Sequence, residues 1–159
     1  MNKYTKEQID STIEGFRSRG YSEVKVDLGK GRIFSYFVLP QSLEPRLPHF
    51  VFRATGDEKD GYVFGIADSV PEEFRPYAVL HELVEFTEIG IDTEGRCRGA
   101  LDIELSLVPD RIKRDYINMK REFFSDLINY CQDKPGYTDE DIKEFRRSLS
   151  RLEELSDGG

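Results

Sequence analysis

The chain is poor in cysteine and histidine, has no tryptophan, and lacks any long apolar run. Of its 159 residues, two are cysteine and two are histidine. Two cysteines are too few for a disulfide framework and are expected to be reduced thiols. No apolar run is long enough for a transmembrane helix, and the N-terminus lacks the apolar core of a secretion signal. The sequence therefore predicts a cytoplasmic protein that does not bind membranes.

Positive charge is scarce relative to negative charge. The chain has 23 Lys and Arg residues against 31 Asp and Glu residues, which gives a formal net charge of −8. Such a surface repels phosphate backbones and anionic lipids, so we expect no nucleic-acid partner and no membrane partner. The basic pair Arg146 and Arg147 lies on a helix whose other charges are expected to cancel it.

The hydrophobic pattern predicts one α+β domain over residues 1–159. Helical spacing of apolar residues predicts a first helix over residues 5–19, with Thr5 as its N-cap. Alternating apolar residues then predict strands over 24–28, 32–39, 49–54 and 62–67, and their short connections favour a small, mostly antiparallel sheet. Helical spacing returns and predicts further helices over 76–90, 96–108, 110–131 and 139–155. The last of these, within about 138–156, can lie at the periphery.

The most informative segment is the apolar helix over residues 77–88, because it carries a line of ionisable groups. Residues four apart lie on one face of a helix, so His81 and Glu85 are neighbours, with Glu82 beside them. A histidine and a carboxylate one turn apart can bind one divalent cation, and a carboxylate next to that histidine can act on water bound to the metal. This is the spacing of the His-Glu-x-x-His metalloprotease helix with Glu85 in place of the second histidine. The plainer interpretation is an ordinary ion pair between His81 and Glu85.

Two further residues could supply a ligand. Cys97 follows the candidate helix closely enough to remain a candidate ligand. His49 lies between a proline and a predicted strand, and we expect it to begin that strand rather than to bind a metal.

The segment from Tyr62 to Phe86 resembles the approach to the active-site helix in zincin metallopeptidases. In small cytoplasmic zincins of the ImmA/IrrE-like kind, a strand at the sheet edge is followed by a Pro-Glu-Glu turn and then by a helix with the pattern Leu-x-His-Glu-Leu-x-His. Here the turn is Pro-Glu-Glu over residues 71–73, and the helix has Val-Leu-His-Glu-Leu-Val-Glu over residues 79–85. The resemblance implies an N-terminal helix and a small sheet before this helix, and a further metal ligand from a later one.

The resemblance also suggests the third ligand. Gluzincin-type enzymes take a glutamate from the next helix, and Glu104 lies at a suitable separation, whereas Asp102 falls on another face of that helix. The alternative is that Glu104 is a surface carboxylate paired with Arg98 or Arg111.

The resemblance implies a metal-dependent peptide-bond hydrolase of minimal zincin type. His81, Glu85 and Glu104 would bind the metal, and Glu82 would be the general base. One imidazole with two carboxylates suits zinc best and also accepts manganese or iron. The strand over residues 62–67, placed at the sheet edge, would bind an extended peptide by strand addition. The alternative function is a catalytically inactive zincin-like protein that acts as an acidic module and binds a protein partner.

Overall fold

The helices and strands follow the order that the sequence predicts. The computed structural model of the chain describes residues 6–57, 61–90 and 92–157, so the predicted N-cap Thr5 lies outside the described residues. The helices are α1 (Lys6–Ser18), α2 (Arg75–Val84), α3 (Arg96–Leu107), α4 (Asp110–Gln132) and α5 (Asp139–Asp157). The strands are β1 (Glu23–Asp27), β2 (Ile33–Leu39), β3 (Val51–Asp57) and β4 (Gly61–Ala67). One helix precedes the sheet and four follow it, which confirms the predicted α+β class.

The four strands form one sheet in the order β1-β2-β4-β3. The β1–β2 and β3–β4 pairings are antiparallel, whereas β2 and β4 run parallel, with Tyr36 opposite Phe64. The parallel pairing arises because the chain leaves β2 through a long connection, forms β3 at the far edge, and folds back so that β4 enters between β2 and β3. The sheet is therefore mixed, with two of its three pairings antiparallel.

The predicted position of the strand over residues 62–67 at the sheet edge is wrong. This segment is β4, and its backbone is paired on both sides, with β2 and with β3. The physical reason lies in its composition, because Phe64, Ile66 and Ala67 are fully buried and a strand covered on both faces is apolar throughout. Within the described residues the edges are β1 and β3, so an extended peptide could add only to one of those strands.

The four helices after the sheet pack against one another. Helix α2 packs against α3, and α5 packs against both α3 and α4. Five apolar residues of α2 are buried: Ala78, Val79, Leu80, Leu83 and Val84. Helix α5 buries Glu144, Ser148 and Leu152, so it contributes to the same core. Among the described helices, none combines the length and the apolar character that crossing a bilayer requires.

Candidate metal centre

His81 lies in the middle of α2 and is held on both of its ring nitrogens. Its side chain is buried, with 4% of its surface exposed. Nδ1 lies 2.7 Å from Oε1 of Glu104 on α3, and Nε2 lies 2.8 Å from Oε1 of Glu85 one turn further along. The contact with Glu85 agrees with the sequence prediction that His81 and Glu85 are neighbours on one face of the helix. An imidazole with a carboxylate at each nitrogen is suited either to a positive charge or to a metal ion at one nitrogen.

Glu85 begins a widened turn that continues α2. Residues Glu85–Ile89 form a π-helical turn, in which the backbone N–H of Gly90 donates to the carbonyl of Glu85 at 2.8 Å. Gly90 then ends the helix with a φ of 102°, a conformation that favours glycine. Single π-helical turns inside helices are frequent at functional sites. Here the widened turn begins at the residue that replaces the second histidine of the zincin pattern.

Glu104 is fully buried and uses both of its carboxylate oxygens. One oxygen faces His81, as described, while the other accepts a hydrogen bond from the hydroxyl of Tyr116. The same oxygen lies 3.2 Å from Nζ of Lys120, which is also buried. The predicted alternative, a surface carboxylate paired with Arg98 or Arg111, is therefore wrong, since Arg111 pairs with Glu73 on the surface.

Cys97 completes the group of candidate ligands around Nε2 of His81. Its Sγ lies 3.5 Å from that nitrogen and accepts a hydrogen bond of 2.9 Å from Oγ of Ser148 on α5. The candidate ligand atoms of His81, Glu85 and Cys97 all lie within 4.8 Å of one another. These three side chains can therefore meet at a single ion, and they form the only such group in the part of the chain that the structure describes.

The start of α3 is fixed by a carboxylate from α5. Glu144 is buried, and its two oxygens accept hydrogen bonds from the backbone N–H groups of Gly95 at 3.0 Å and Cys97 at 3.2 Å. Glu144 thus acts as the hydrogen-bond acceptor that an N-cap side chain would normally provide, although it belongs to a distant helix. Glu144 and Ser148 lie one turn apart on α5, so this helix positions both the backbone and the sulfur of Cys97.

The buried ionisable groups balance one another. Burial opposes a charged imidazole, but its negative neighbours, Glu85 and Glu104 among them, outweigh burial, so the pKa of His81 lies well above 6.5. Burial likewise disfavours the charged carboxylates, but the positive charges of Lys120 and His81 outweigh it, so the pKa of Glu104 is lowered. The pKa of Glu85 is also lowered, because the attraction of charged His81 exceeds the effect of burial. Two positive and two negative side chains thus offset each other.

Cys97 and Glu82 shift in the opposite sense, toward their neutral forms. Burial raises the pKa of the Cys97 thiol, although His81 partly counteracts this. Burial, followed by the negative charge of Glu85, raises the pKa of Glu82 to about 7. Glu82 is half-buried, and it makes no hydrogen bond or ion pair with the residues that the structure describes. A carboxyl group with such a pKa beside a histidine is poised to accept or release a proton near neutral pH.

The structure places three of the four predicted site residues in direct contact, on two sides of the His81 ring. His81 and Glu85 meet at Nε2, and Glu82 follows His81 in the chain without a hydrogen bond to either residue. Glu104 touches the opposite nitrogen, so the predicted ligands His81, Glu85 and Glu104 do not converge on one ring nitrogen. His49 precedes β3 and is not part of the cluster.

Sequence reasoning missed four residues that hold the cluster in place: Tyr116, Lys120, Glu144 and Ser148. A signal existed for the first pair, because they lie four apart on α4 within a stripe of apolar residues where a lysine is unusual. The second pair has the same spacing on α5. Neither spacing indicates which distant residue is the partner.

The chain matches no protein-family model, and neither curated proteins nor solved structures match it. The resemblance to zincins therefore rests on the residues quoted above and stays a hypothesis.

Proposed function

We propose that the protein is a metal-dependent hydrolase whose centre is built from His81, Glu85 and Cys97, with Glu82 as the general base. The proposal rests on the different partners of the two ring nitrogens of His81. Glu104 occupies Nδ1, while Nε2 faces Glu85 and Cys97. A histidine that binds a metal commonly donates its other ring N–H to a carboxylate, which fixes its tautomer and orientation. Glu104 is thereby a positioning residue in this proposal rather than the ligand that the sequence predicts.

Two distances at Nε2 can be compared with those around a tetrahedral zinc ion. With bonds of about 2.0–2.3 Å, ligand atoms around zinc lie roughly 3.3–3.6 Å apart. The 3.5 Å between Nε2 of His81 and Sγ of Cys97 fits this spacing. Oε1 of Glu85 is 2.8 Å from Nε2, so Glu85 would withdraw by roughly half an ångström.

The chemistry of the donor set favours zinc over manganese or iron. A sulfur ligand suits zinc better than the harder manganese, and the set leaves a fourth position open, as catalytic zinc sites do. Such an ion, when bound, supplies Lewis acidity and lowers the pKa of a water molecule. Glu82 would accept the proton from the attacking water and return it to the leaving group.

The proposed substrate class is a peptide bond, which follows from the zincin resemblance of residues 62–86. Since β4 lies inside the sheet, an extended substrate would add to β3, the edge strand that pairs with β4. The half-buried Glu82 and the partly exposed Glu85 mark the side from which a substrate would approach.

One observation favours a second function, an inactive acidic module that binds a protein partner. Charged His81 and Lys120 already balance the carboxylates of Glu85 and Glu104. Such a buried network is complete without a metal, and it can hold α2, α3 and α4 in register. In this case His81 would be a structural cation and the acidic surface would be the functional part.

Zinc binding separates the two functions. If zinc binds only the folded state, a free concentration one hundred times the Kd stabilises the protein by about 2.7 kcal/mol. This corresponds to a rise in Tm of roughly 5–11 °C for a chain of this size. His81→Ala should abolish the rise, whereas Cys131→Ala, which removes the other buried thiol, should keep it. No shift in the wild type at saturating zinc or manganese would favour the binding module.

Catalysis is tested by Glu82→Gln, which keeps the size of the side chain and removes the base. We expect this change to leave zinc binding nearly intact and to reduce hydrolysis of a mixed peptide library by on the order of a hundredfold. Glu88→Gln is the matched control, because Glu88 lies on the same helical segment but pairs with Arg32. Equal activity in Glu82→Gln and the wild type would exclude the hydrolase mechanism.

A further inference from the structure

A groove lined by arginines lies between α3 and α5. Its lining is Arg98, Arg146, Arg147, Ser150, Arg151 and Glu154, and its volume is about 260 Å³. Four guanidinium groups face a single carboxylate in this lining, although the chain as a whole has a net charge of −8. The other charges of α5 are mostly acidic, as the sequence predicts, and Glu144 of this helix pairs with Arg147.

The carboxylates around the groove restrain two of the arginines and leave the other two unpaired. Arg147 contacts Glu94 at 2.7 Å and Glu144 at 2.8 Å, and these contacts fix its guanidinium. In contrast, Arg98 and Arg146 are exposed and make no ion pair with the residues that the structure describes. The groove therefore offers two positive charges that no carboxylate of the described chain offsets.

Arg151 is the second restrained arginine, because its Nη1 donates a hydrogen bond of 3.4 Å to Oε2 of Glu154. Its Nε is buried and has no hydrogen-bond partner in the described chain. Oδ1 of Asp102 lies 3.7 Å from this Nε, which is too long for a hydrogen bond.

We propose that this groove binds a phosphate dianion, either as a free phosphate compound or as the phosphoryl group of a phosphorylated protein. The two unpaired charges of Arg98 and Arg146 match the charge of a phosphate monoester, which is close to −2 at neutral pH. Arginine presents planar N–H donors that suit tetrahedral oxyanions, and Ser150 adds a hydroxyl. The volume is below the roughly 300 Å³ of ordinary small-molecule pockets, so it suits an anionic group rather than a whole nucleotide.

Because neighbouring carboxylates weaken the long-range field, recognition rests on short contacts between guanidinium and oxygen atoms. The site is independent of the proposed metal centre and does not require a metal. It nonetheless lies on the outer side of the same two helices, since Arg98 follows Cys97 and Arg147 precedes Ser148 in the chain.

The test is an NMR titration of the full chain at constant ionic strength. The probes are inorganic phosphate, a phosphoserine peptide and the same peptide without the phosphoryl group. We expect saturable shifts at groove residues with the first two probes and none with the third. Tighter binding of the phosphopeptide than of inorganic phosphate identifies a protein-borne group, and equal binding identifies a free phosphate compound.

Two double variants supply the control. Arg98→Ala with Arg146→Ala should weaken binding about tenfold or more, because two charge-assisted contacts are lost. Arg111→Ala with Arg114→Ala removes the same charge from exposed positions on α4, outside the groove, and should weaken binding less than twofold. Equal weakening by both variants, or no saturable shift with either phosphate probe, would overturn the proposal.

Discussion

Removal of the buried carboxylate of Glu104 should destabilise the protein strongly. Glu104→Gln keeps the shape but leaves Lys120 as a buried charge without a counter-charge, and it weakens the contacts to His81 and Tyr116. Breaking one side of a buried ion pair typically costs about 3–5 kcal/mol. For a chain of this length that lowers Tm by roughly 6–20 °C. Urea denaturation followed by circular dichroism measures the change in free energy of unfolding.

A second variant, at Lys120, shows whether the loss of stability in Glu104→Gln arises from the unpaired Lys120 charge. Lys120→Met removes the buried ammonium and retains an apolar side chain beside Phe123 and Phe124, which Lys120 contacts through its charge. Glu104→Gln combined with Lys120→Met should cost less than the sum of the single changes by about 2 kcal/mol or more. Tyr116→Phe is a milder variant that removes one charge-assisted hydrogen bond, at about 1.5–3 kcal/mol. If the changes in free energy of unfolding caused by Glu104→Gln and Lys120→Met add to within about 0.5 kcal/mol, the two residues do not form the proposed buried ion pair.

Three further predictions concern pH and metal. The pKa of Glu82 is about 7 in the folded protein and about 4.5 in the unfolded chain, so the stability it contributes below pH 4.5 is lost as pH rises through 7. Glu82→Gln should therefore be more stable than the wild type at pH 8 by up to about 3 kcal/mol. A stability difference that does not shrink toward pH 4.5 would contradict this prediction. Zinc binding requires charged His81 and the neutral Cys97 thiol to lose one proton each. Calorimetry between pH 6 and 7 should therefore show the zinc affinity rising by up to about a hundredfold per pH unit. A zinc affinity independent of pH would count against the ligand set. Glu85→His removes one negative charge and restores the zincin pattern, so the zinc affinity, measured by competition with a chelator, should rise. A lower zinc affinity would place Glu85 away from the ion.

Local patterns predict the elements of this fold well but not their long-range pairing. Alternation and helical spacing depend on neighbouring residues, which is why the strands and the helix ends near Gly20 and Gly90 agree closely with the structure. The insertion of β4 between β2 and β3 depends on contacts between segments far apart in the chain. Its continuous apolar run was the available sign of a central strand.

The same limit applies to the candidate site. Spacing on α2 placed His81, Glu82 and Glu85 on neighbouring positions, because all three belong to one helix. The face that Glu104 turns toward α2 depends on how α3 crosses it, and the sequence contains no local signal for that crossing. Cys97 and Ser148 meet through packing between α3 and α5, so Cys97 could be suggested by proximity in the chain, whereas Ser148 could not.

Cobalt(II) titration of the metal-free protein tests the ligand set most directly. Cobalt occupies zinc sites and, when a thiolate binds it, gives an intense charge-transfer absorption. We predict that one equivalent produces this absorption, that Cys97→Ser and His81→Ala abolish it, and that Cys131→Ser retains it. Absence of the thiolate absorption from the wild type, or its loss in Cys131→Ser with retention in Cys97→Ser, would contradict a metal centre built from His81, Glu85 and Cys97.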